Sequence, residues 1–249
     1  MGRFASTVPY YNRYREPYPE AFFETVARRL RFTGGEHLCD IGCGPGPLAM
    51  GFSRYVGSCT GIDPEPAMLA EAGAQATQAG VNLRLIEARI EQIPETFERF
   101  DIVTIGRALH WMEPQSTARV LDRIVVEGGV ILLCASTPPP GPANPWLEPY
   151  NQVRKRWVDH RGEERYTFDP EQPLAGSRFR FAEEIVVSTS RAVTVEELVR
   201  RSLSRSTTSP QVLGERMPQF EHELAEAILP FASNGVLREE IQASARVLR

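Results

Sequence analysis

Residues 37–46 read HLCDIGCGPG, a short apolar run followed by a glycine-rich turn. The run His37–Ile41 has the length of a buried strand, and Leu48–Tyr55 beyond the turn reads as a helix. Strand, glycine turn and helix in that order open a βα unit. Glycine carries no Cβ, so the backbone of such a turn can approach a ligand closely. Two details then narrow the ligand. A dinucleotide fingerprint needs glycines as G-x-G-x-x-G, the third allowing close packing of helix on strand while a pyrophosphate sits on the helix N-terminus. Gly42 and Gly44 fit, but the third position is Pro47 and the extra glycine is Gly46. Asp40 stands two residues before Gly42, at the carboxyl end of the strand, where the ligand crevice of an open α/β sheet lies. A carboxylate there repels a pyrophosphate and favours a ligand with positive charge.

Outward from this turn, short apolar runs alternate with amphipathic stretches as far as Ser136, the pattern of βα units on a parallel sheet. Strands are expected at His37–Ile41, Ser58–Ile62, Asn82–Glu87, Phe100–Ile105 and Val130–Cys134. Helices are expected at Leu48–Tyr55, Glu65–Ala79 and Pro114–Val126. After Ser136 the chain reads TPPPGPANPW, whose prolines lack the backbone donors of a helix or central strand. An insertion therefore starts there, with a helix at Trp146–Arg161 presenting Trp146, Tyr150, Val153 and Trp157 on one face. Helices near Val195–Ser204 and Pro218–Phe231, and later strands at Phe181–Ser188 and Glu240–Leu248, bring the expected total to seven strands. The expected fold is α/β, Rossmann-like and doubly wound, with a mainly parallel seven-stranded sheet and a helical insertion or lid after strand five. Within a single domain over 1–249, residues 1–30 cover the ligand and 31–136 form the binding core. Residues 137–180 form the lid, and 181–249 complete the sheet.

The 249 residues and 42% hydrophobic content suit a buried core of this size. The 28 basic against 32 acidic residues leave a net charge of -4, without the basic footprint of a nucleic-acid binder. The N-terminus is too polar for a signal peptide, and no apolar run approaches the roughly 20 residues that span a bilayer. A cytoplasmic protein with no nucleic-acid or membrane partner, monomer or homodimer, is expected. Cys39, Cys43, Cys59 and Cys134 lie in or beside apolar runs without the paired spacing of a zinc site, so they read as buried free thiols and no metal is expected.

S-adenosylmethionine, which carries an ammonium and a sulfonium, matches the charge requirement at Asp40. Asp63 supports an adenosine ligand: it closes the second strand in Gly61-Ile62-Asp63, about 20 residues past the turn, where such folds place a carboxylate on ribose hydroxyls.

On these residues the chain resembles the class I S-adenosylmethionine-dependent methyltransferases, through HLCDIGCGPG, then Asp63, then FDIVTIGRALHW (residues 100–111). YYNRYREPYP (residues 10–19) and ALHW (residues 108–111) resemble the branch acting on small molecules, which includes trans-aconitate and ubiquinone-pathway methyltransferases. The resemblance covers about residues 10 to 136. It implies that Asp40 and the backbone of Gly42, Cys43, Gly44 and Gly46 hold the methionine end of S-adenosylmethionine, the product being S-adenosylhomocysteine. It further implies Asp63 on the ribose, Pro64 and Met68 beside the adenine, and Gly106 and Arg107 beside the methionine part and the entering substrate. Tyr14 and Arg15 resemble the segment that folds over the cofactor, with Arg15 able to pair with its carboxylate. One position departs from the pattern. Where the family shows an acid and a small residue before a proline, this chain has Arg89 and Ile90 before Pro94, with acids displaced to Glu87 and Glu91. Ile90 can still offer backbone to the adenine.

Methyl transfer from a sulfonium is an in-line displacement, favoured by alignment and exclusion of water. An oxygen or nitrogen acceptor that carries a proton needs a base, and His110, in the loop after the fourth strand, is the candidate. A structural role within its turn is the other reading of the same residue. Trp111 is an aromatic wall for a small acceptor. Trp146 and Tyr150 either line the acceptor pocket or dock their helix onto the body. A non-catalytic binder of S-adenosylmethionine would share every cofactor motif, and an NAD(P)-dependent oxidoreductase is disfavoured by Pro47 and Asp40.

Overall fold

A computed structural model describes residues 8–158 and 174–249 of the chain. Along it run α1 (Val8–Tyr14), α2 (Glu20–Leu30), β1 (His37–Ile41), α3 (Pro47–Phe52), β2 (Ser58–Asp63), α4 (Pro66–Ala79), β3 (Leu83–Glu87) and β4 (Phe100–Gly106). Then come α5 (Pro114–Ile124), β5 (Val125–Thr137), α6 (Leu147–Trp157), β6 (Phe181–Thr194), α7 (Val195–Leu203), α8 (Pro210–Leu213), α9 (Met217–Ile228) and β7 (Val236–Leu248). The strands form one seven-stranded sheet in the order β3-β2-β1-β4-β5-β7-β6. The pairs β3–β2, β2–β1, β1–β4 and β4–β5 are parallel, and β7 is antiparallel. The expected mainly parallel, seven-stranded class is the observed one.

The chain divides into two compact units. The first comprises Met1–Pro17, Ser136–Glu164 and Ser188–Gln242, and the second Tyr18–Ala135, Arg165–Val187 and Ala243–Arg249.

In the second unit, alternation along each strand sorts apolar side chains to two faces. Leu38, Ile102, Leu132 and Cys134 join Phe22, Phe23, Val26, Leu48 and Phe52 of α2 and α3 in one core. Their sequence neighbours Cys39, Val103, Ile131 and Leu133 join Val120, Leu121 and Ile124 of α5 in another. Strands buried on both faces read as near-continuous apolar runs, which is why this half of the sheet is plain in the sequence. α2, absent from the sequence expectation, buries Phe22, Phe23, Val26 and Ala27, and Arg31 stops it in the left-handed conformation. α3 approaches α2 so closely that a Cβ on Gly51 would stand 2.0 Å from Phe23 Cζ. The close-packing glycine therefore lies one turn beyond the fingerprint position held by Pro47.

β5 starts at Val125, where a helix end was expected. Val125 pairs with Phe100 and Val130 with Ile102, so residues 126–129 are accommodated as an irregularity in β5. Two β-branched residues followed by Gly128 and Gly129 favour extended chain over a last helical turn.

In the first unit, Trp146, Tyr150 and Val153 of α6 pack with Leu198, Val199 and Leu203 of α7 and with Phe220, Leu224 and Ile228 of α9. The apolar face expected on α6 is present and faces a core. The expected end of that helix at Arg161 and most of the second half of the 137–180 lid fall on residues 159–173, outside the described residues. Among the described residues no helix is long and apolar enough to cross a membrane.

Candidate cofactor-binding site

β1 lies between β2 and β4, and its register sets Asp40 opposite Gly61 on one side and Thr104 on the other. Thr104 Oγ1 donates to Asp40 Oδ1 at 2.8 Å, and the Ala49 amide donates to the same carboxyl. Asp40 is only 1% exposed. Burial pushes its pKa from 3.8 up to about 7 against those two donors, and the charge of Asp63 adds to the rise.

The turn after β1 bends on three left-handed glycines, Gly42 (φ 66°), Gly44 (φ 54°) and Gly46 (φ 83°), a conformation that costs a Cβ-bearing residue about 1 kcal/mol or more. The Gly42 and Cys43 amides both donate to Ile62 O, at 2.8 and 3.0 Å, and Gly46 N–H closes the turn on Cys43 O at 2.9 Å. Space also demands glycine: a Cβ on Gly42 would stand 2.5 Å from Ala108 Cβ, and one on Gly61 2.9 Å from Cys43 Sγ. Gly61 thus lets the Cys43 side chain tuck inward under the turn.

Asp63, at the end of β2, accepts from Gly44 N–H at 2.8 Å through Oδ2 and from Glu65 N–H at 2.9 Å through Oδ1. Burial raises its pKa, opposed by those amides. It ties the glycine turn to the start of α4. Pro64 beside it is exposed and Met68 is buried on α4. Arg89 precedes a short 3-10 turn, Ile90–Gln92, and its N–H donates to Gln92 Oε1. Ile90 is buried, while Glu91 Oε1 accepts from Glu113 N–H at 2.8 Å.

Past β4, a Cβ on Gly106 would stand 2.6 Å from Leu48 Cδ1 and 3.2 Å from Tyr18 Oη. Arg107 is a non-glycine residue held at φ 57°, with its guanidinium 5.3 Å from the centre of the Tyr18 ring. Such backbone strain persists where surrounding structure fixes it and gathers at ligand sites. His110 and Trp111 lie on the following 3-10 turn, Leu109–Trp111, their rings 4.7 Å apart; both are exposed, Trp111 at 40%.

The structure brings Asp40, Gly42, Cys43, Gly44, Gly46, Asp63, Gly106 and Arg107 to the carboxyl ends of β1, β2 and β4 in the second unit. Other expected residues belong to the first unit. The carbonyl of Tyr14 accepts from Arg201 Nε at 2.8 Å, and Arg15 Nη2 donates to Ser204 O at 3.3 Å. Trp146 and Tyr150 are corrected from acceptor-pocket lining to core. Trp146 Nε1 donates to Arg238 O, Tyr150 Oη donates to Leu198 O and accepts from Ser202, and both rings are almost fully enclosed. Docking, the other sequence reading of these two residues, is what they do. Sequence reasoning missed Thr104, Gly61 and Ala108, which act through strand register and close packing rather than through any local motif.

Two carboxylates with raised pKa thus flank a half-buried glycine turn, and neither Asp40 nor Asp63 has an ion-pair partner among the described residues. Nothing lies within 4 Å of where a Cβ on Gly44 would stand. This arrangement repels a phosphate and suits an ammonium and a sulfonium, so the residues fit S-adenosylmethionine. Among the described residues no cluster of His, Cys, Asp and Glu could hold a metal ion.

The family described as "Methyltransferase domain" matches residues 38–129, which span β1 to the bulged start of β5. YcgJ of Bacillus subtilis, described as an uncharacterized methyltransferase, is 34% identical over 110 residues, 43% of this chain and 44% of that protein. A ubiquinone biosynthesis O-methyltransferase of Alkalilimnicola ehrlichii is 34% identical over 109 residues, again 43% of this chain and 44% of its own length. The chain thus spans less than half the length of these curated relatives. In fold it is similar to an S-adenosylmethionine-dependent methyltransferase of Thiobacillus denitrificans solved with S-adenosylhomocysteine, with a TM-score of 0.57 and 16% identity over 100% of this chain and 98% of that one. Over residues 38–129 the chain is thus similar to the methyltransferase-domain family.

Proposed function

We propose that the protein transfers a methyl group from S-adenosylmethionine to an oxygen or nitrogen of a small-molecule acceptor. The observation that carries this reading is the pair of carboxylates, Asp40 and Asp63, without a side-chain counter-charge among the described residues, around a turn of three left-handed glycines. The O-methyltransferase relatives support oxygen as the acceptor atom. When bound, S-adenosylmethionine supplies a methyl activated by a sulfonium. Asp40 attracts the positive end, with Thr104 fixing its carboxyl. The amides of Gly42, Cys43, Gly44 and Gly46 form a wall against which the methionine part rests. Asp63 keeps lone pairs for the ribose hydroxyls while holding Gly44. Pro64 and Met68 flank the adenine, Arg89 and Ile90 border it through backbone, and Gly106 and Arg107 face the methionine part. His110 takes the acceptor's proton and Trp111 forms a wall of the acceptor site. Catalysis by these residues rests on alignment and exclusion of water.

Calorimetric titration with S-adenosylmethionine, S-adenosylhomocysteine and NADH tests this on the wild type, Asp40→Asn and Asp63→Ala. Both sulfur ligands should bind and NADH should not, and each variant should weaken binding at least about tenfold, or about 1.4 kcal/mol. Binding of NADH with neither sulfur ligand bound would overturn the reading.

A further inference from the structure

Along β1 and β4, the side chains on the face toward α2 and α3 change character in three steps. Leu38 and Ile102 stand opposite each other in the apolar core, and the next pair on that face is Asp40 and Thr104. Two residues further on, the chain carries Gly42 and Gly106, neither of which has a side chain to lay over that pair. Asp40 and Thr104 are therefore the uppermost side chains of the two strands on this face, below the crevice at their carboxyl ends.

Thr104 is fully buried, in a strand whose interior neighbours are Ile102, Val103 and Ile105. Valine has the same β-branched shape, so the strand calls for that shape and not for a hydroxyl. A buried hydroxyl costs free energy unless it is bonded, and this one donates to Asp40 Oδ1 at 2.8 Å. Asp63 is held by backbone donors, Gly44 N–H and Glu65 N–H, whereas Asp40 takes one backbone donor, Ala49 N–H, and one side chain, Thr104. A hydroxyl donor favours the carboxylate over the acid, and by occupying Oδ1 it also holds the carboxyl in one orientation.

The titratable groups around Asp40 among the described residues are Asp63 at the end of β2, Cys39 on β1, Cys43 in the turn, Cys59 on β2 and Cys134 on β5. α3, with the sequence PLAMGF, carries none. Burial, with the charge of Asp40, raises all four thiols, Cys59 to about 12. None of them ionises near neutral pH, so Asp63 is the other charge that acts on Asp40.

We infer that Thr104 is a positioning residue of the cofactor site: its hydroxyl holds Asp40 as a carboxylate turned toward the cationic end of the ligand, and so sets how acidic the medium can become before the cofactor is released. The inference rests on the S-adenosylmethionine reading of the site. Thr104 acts through Asp40 and takes no part in the transfer itself.

Calorimetric titration of the full chain with S-adenosylmethionine and S-adenosylhomocysteine, at four pH values from about 5 to 8, tests it on the wild type, Thr104→Val and Thr104→Ser. Wild-type affinity for both ligands should fall on acidification as Asp40 takes up its proton. Thr104→Val keeps the shape and loses the donor, which should move that fall upward by about one pH unit. With the wild-type curve turning near the Asp40 pKa of about 7, such a shift weakens binding about tenfold at pH 6 but only about twofold at pH 8. Thr104→Ser keeps the donor and loses a methyl, and should follow the wild-type curve within about threefold. The ligand's own ammonium titrates identically in all three series, and circular dichroism of the same samples reports that each variant is folded. Valine curves that coincide with the wild type, or lie below it by one factor at every pH as a purely structural defect would, overturn the inference. A serine curve that follows valine, or a wild-type affinity that is flat with pH, does the same while leaving the cofactor reading intact. Binding of neither sulfur ligand to the wild type overturns the cofactor reading, and this inference with it.

Discussion

Replacing Asp40 by asparagine should change how stability depends on pH, and by an amount the structure sets. Burial raises the Asp40 pKa from 3.8 to about 7 in the folded chain. The folded state therefore binds this proton more tightly than the unfolded state. The resulting stabilisation is complete below about pH 4 and is lost as pH rises through 7. Between pH 5 and pH 8 the wild type should lose about 2–3 kcal/mol from this group, since each pH unit below the folded pKa contributes about 1.4 kcal/mol. Asparagine carries no titrating proton, and its amide can still accept from Ala49 and meet Thr104. Stability of Asp40→Asn relative to wild type should thus rise by about 2–3 kcal/mol from pH 5 to pH 8, or about 5–10 °C in melting temperature for a chain of this length. Urea unfolding followed by circular dichroism at four pH values on both proteins measures it. Asp63 titrates in both proteins, so its contribution largely cancels in the comparison. Parallel stability curves for the two proteins would refute the reasoning, because the raised pKa would then have no energetic counterpart.

Other substitutions test other parts of the molecule. Gly42→Ala forces a Cβ to 2.5 Å from Ala108 Cβ at φ 66° and should cost about 1–3 kcal/mol, with loss of S-adenosylmethionine binding in titration. His110→Ala should lower kcat by about 10²–10⁴ while leaving S-adenosylmethionine affinity unchanged, once an acceptor is found by screening phenols, acids and amines. A kcat within a few-fold of wild type would assign His110 to structure. Glu239→Gln leaves the buried Arg201 charge uncompensated on that side and should destabilise by about 3–5 kcal/mol, read in the same urea titrations.

The half of the chain built from parallel βα units was legible because β1, β2, β4 and the Val130–Cys134 stretch of β5 are buried on both faces and the helices on one. Apolar runs and helical periodicity record that burial directly, as in His37–Ile41 and Pro114–Ile124. The glycine turn was legible as well, since left-handed backbone limits the residues that can occupy it. Periodicity does not say what an apolar face meets, so Trp146 and Tyr150 could be placed on one face of α6 but not in a core. Nor does it reveal Thr104, which reaches Asp40 from 64 positions away through the register of β4 on β1. The cluster of Glu16, Arg201 and Glu239 has the same cause: its members belong to three distant segments. α2 carries Phe22, Phe23 and Val26 at helical spacing after Pro19, a signal hidden by treating residues 1–30 as a covering segment.

Cys39, Cys43, Cys59 and Cys134 are all buried free thiols of the second unit. Burial raises the pKa of each, to about 12 for Cys59. A thiol reacts as thiolate and only when reached, so a disulfide reagent at neutral pH should modify these four as fast as the second unit opens. Trp146 and Trp157 belong to the first unit and are packed in or against its core, whereas Trp111 is already exposed. Tryptophan emission therefore follows the first unit and thiol titre the second. A single denaturant series on the unlabelled wild type reads both: coincident midpoints mean one cooperative transition, and separated ones give each unit a free energy of its own.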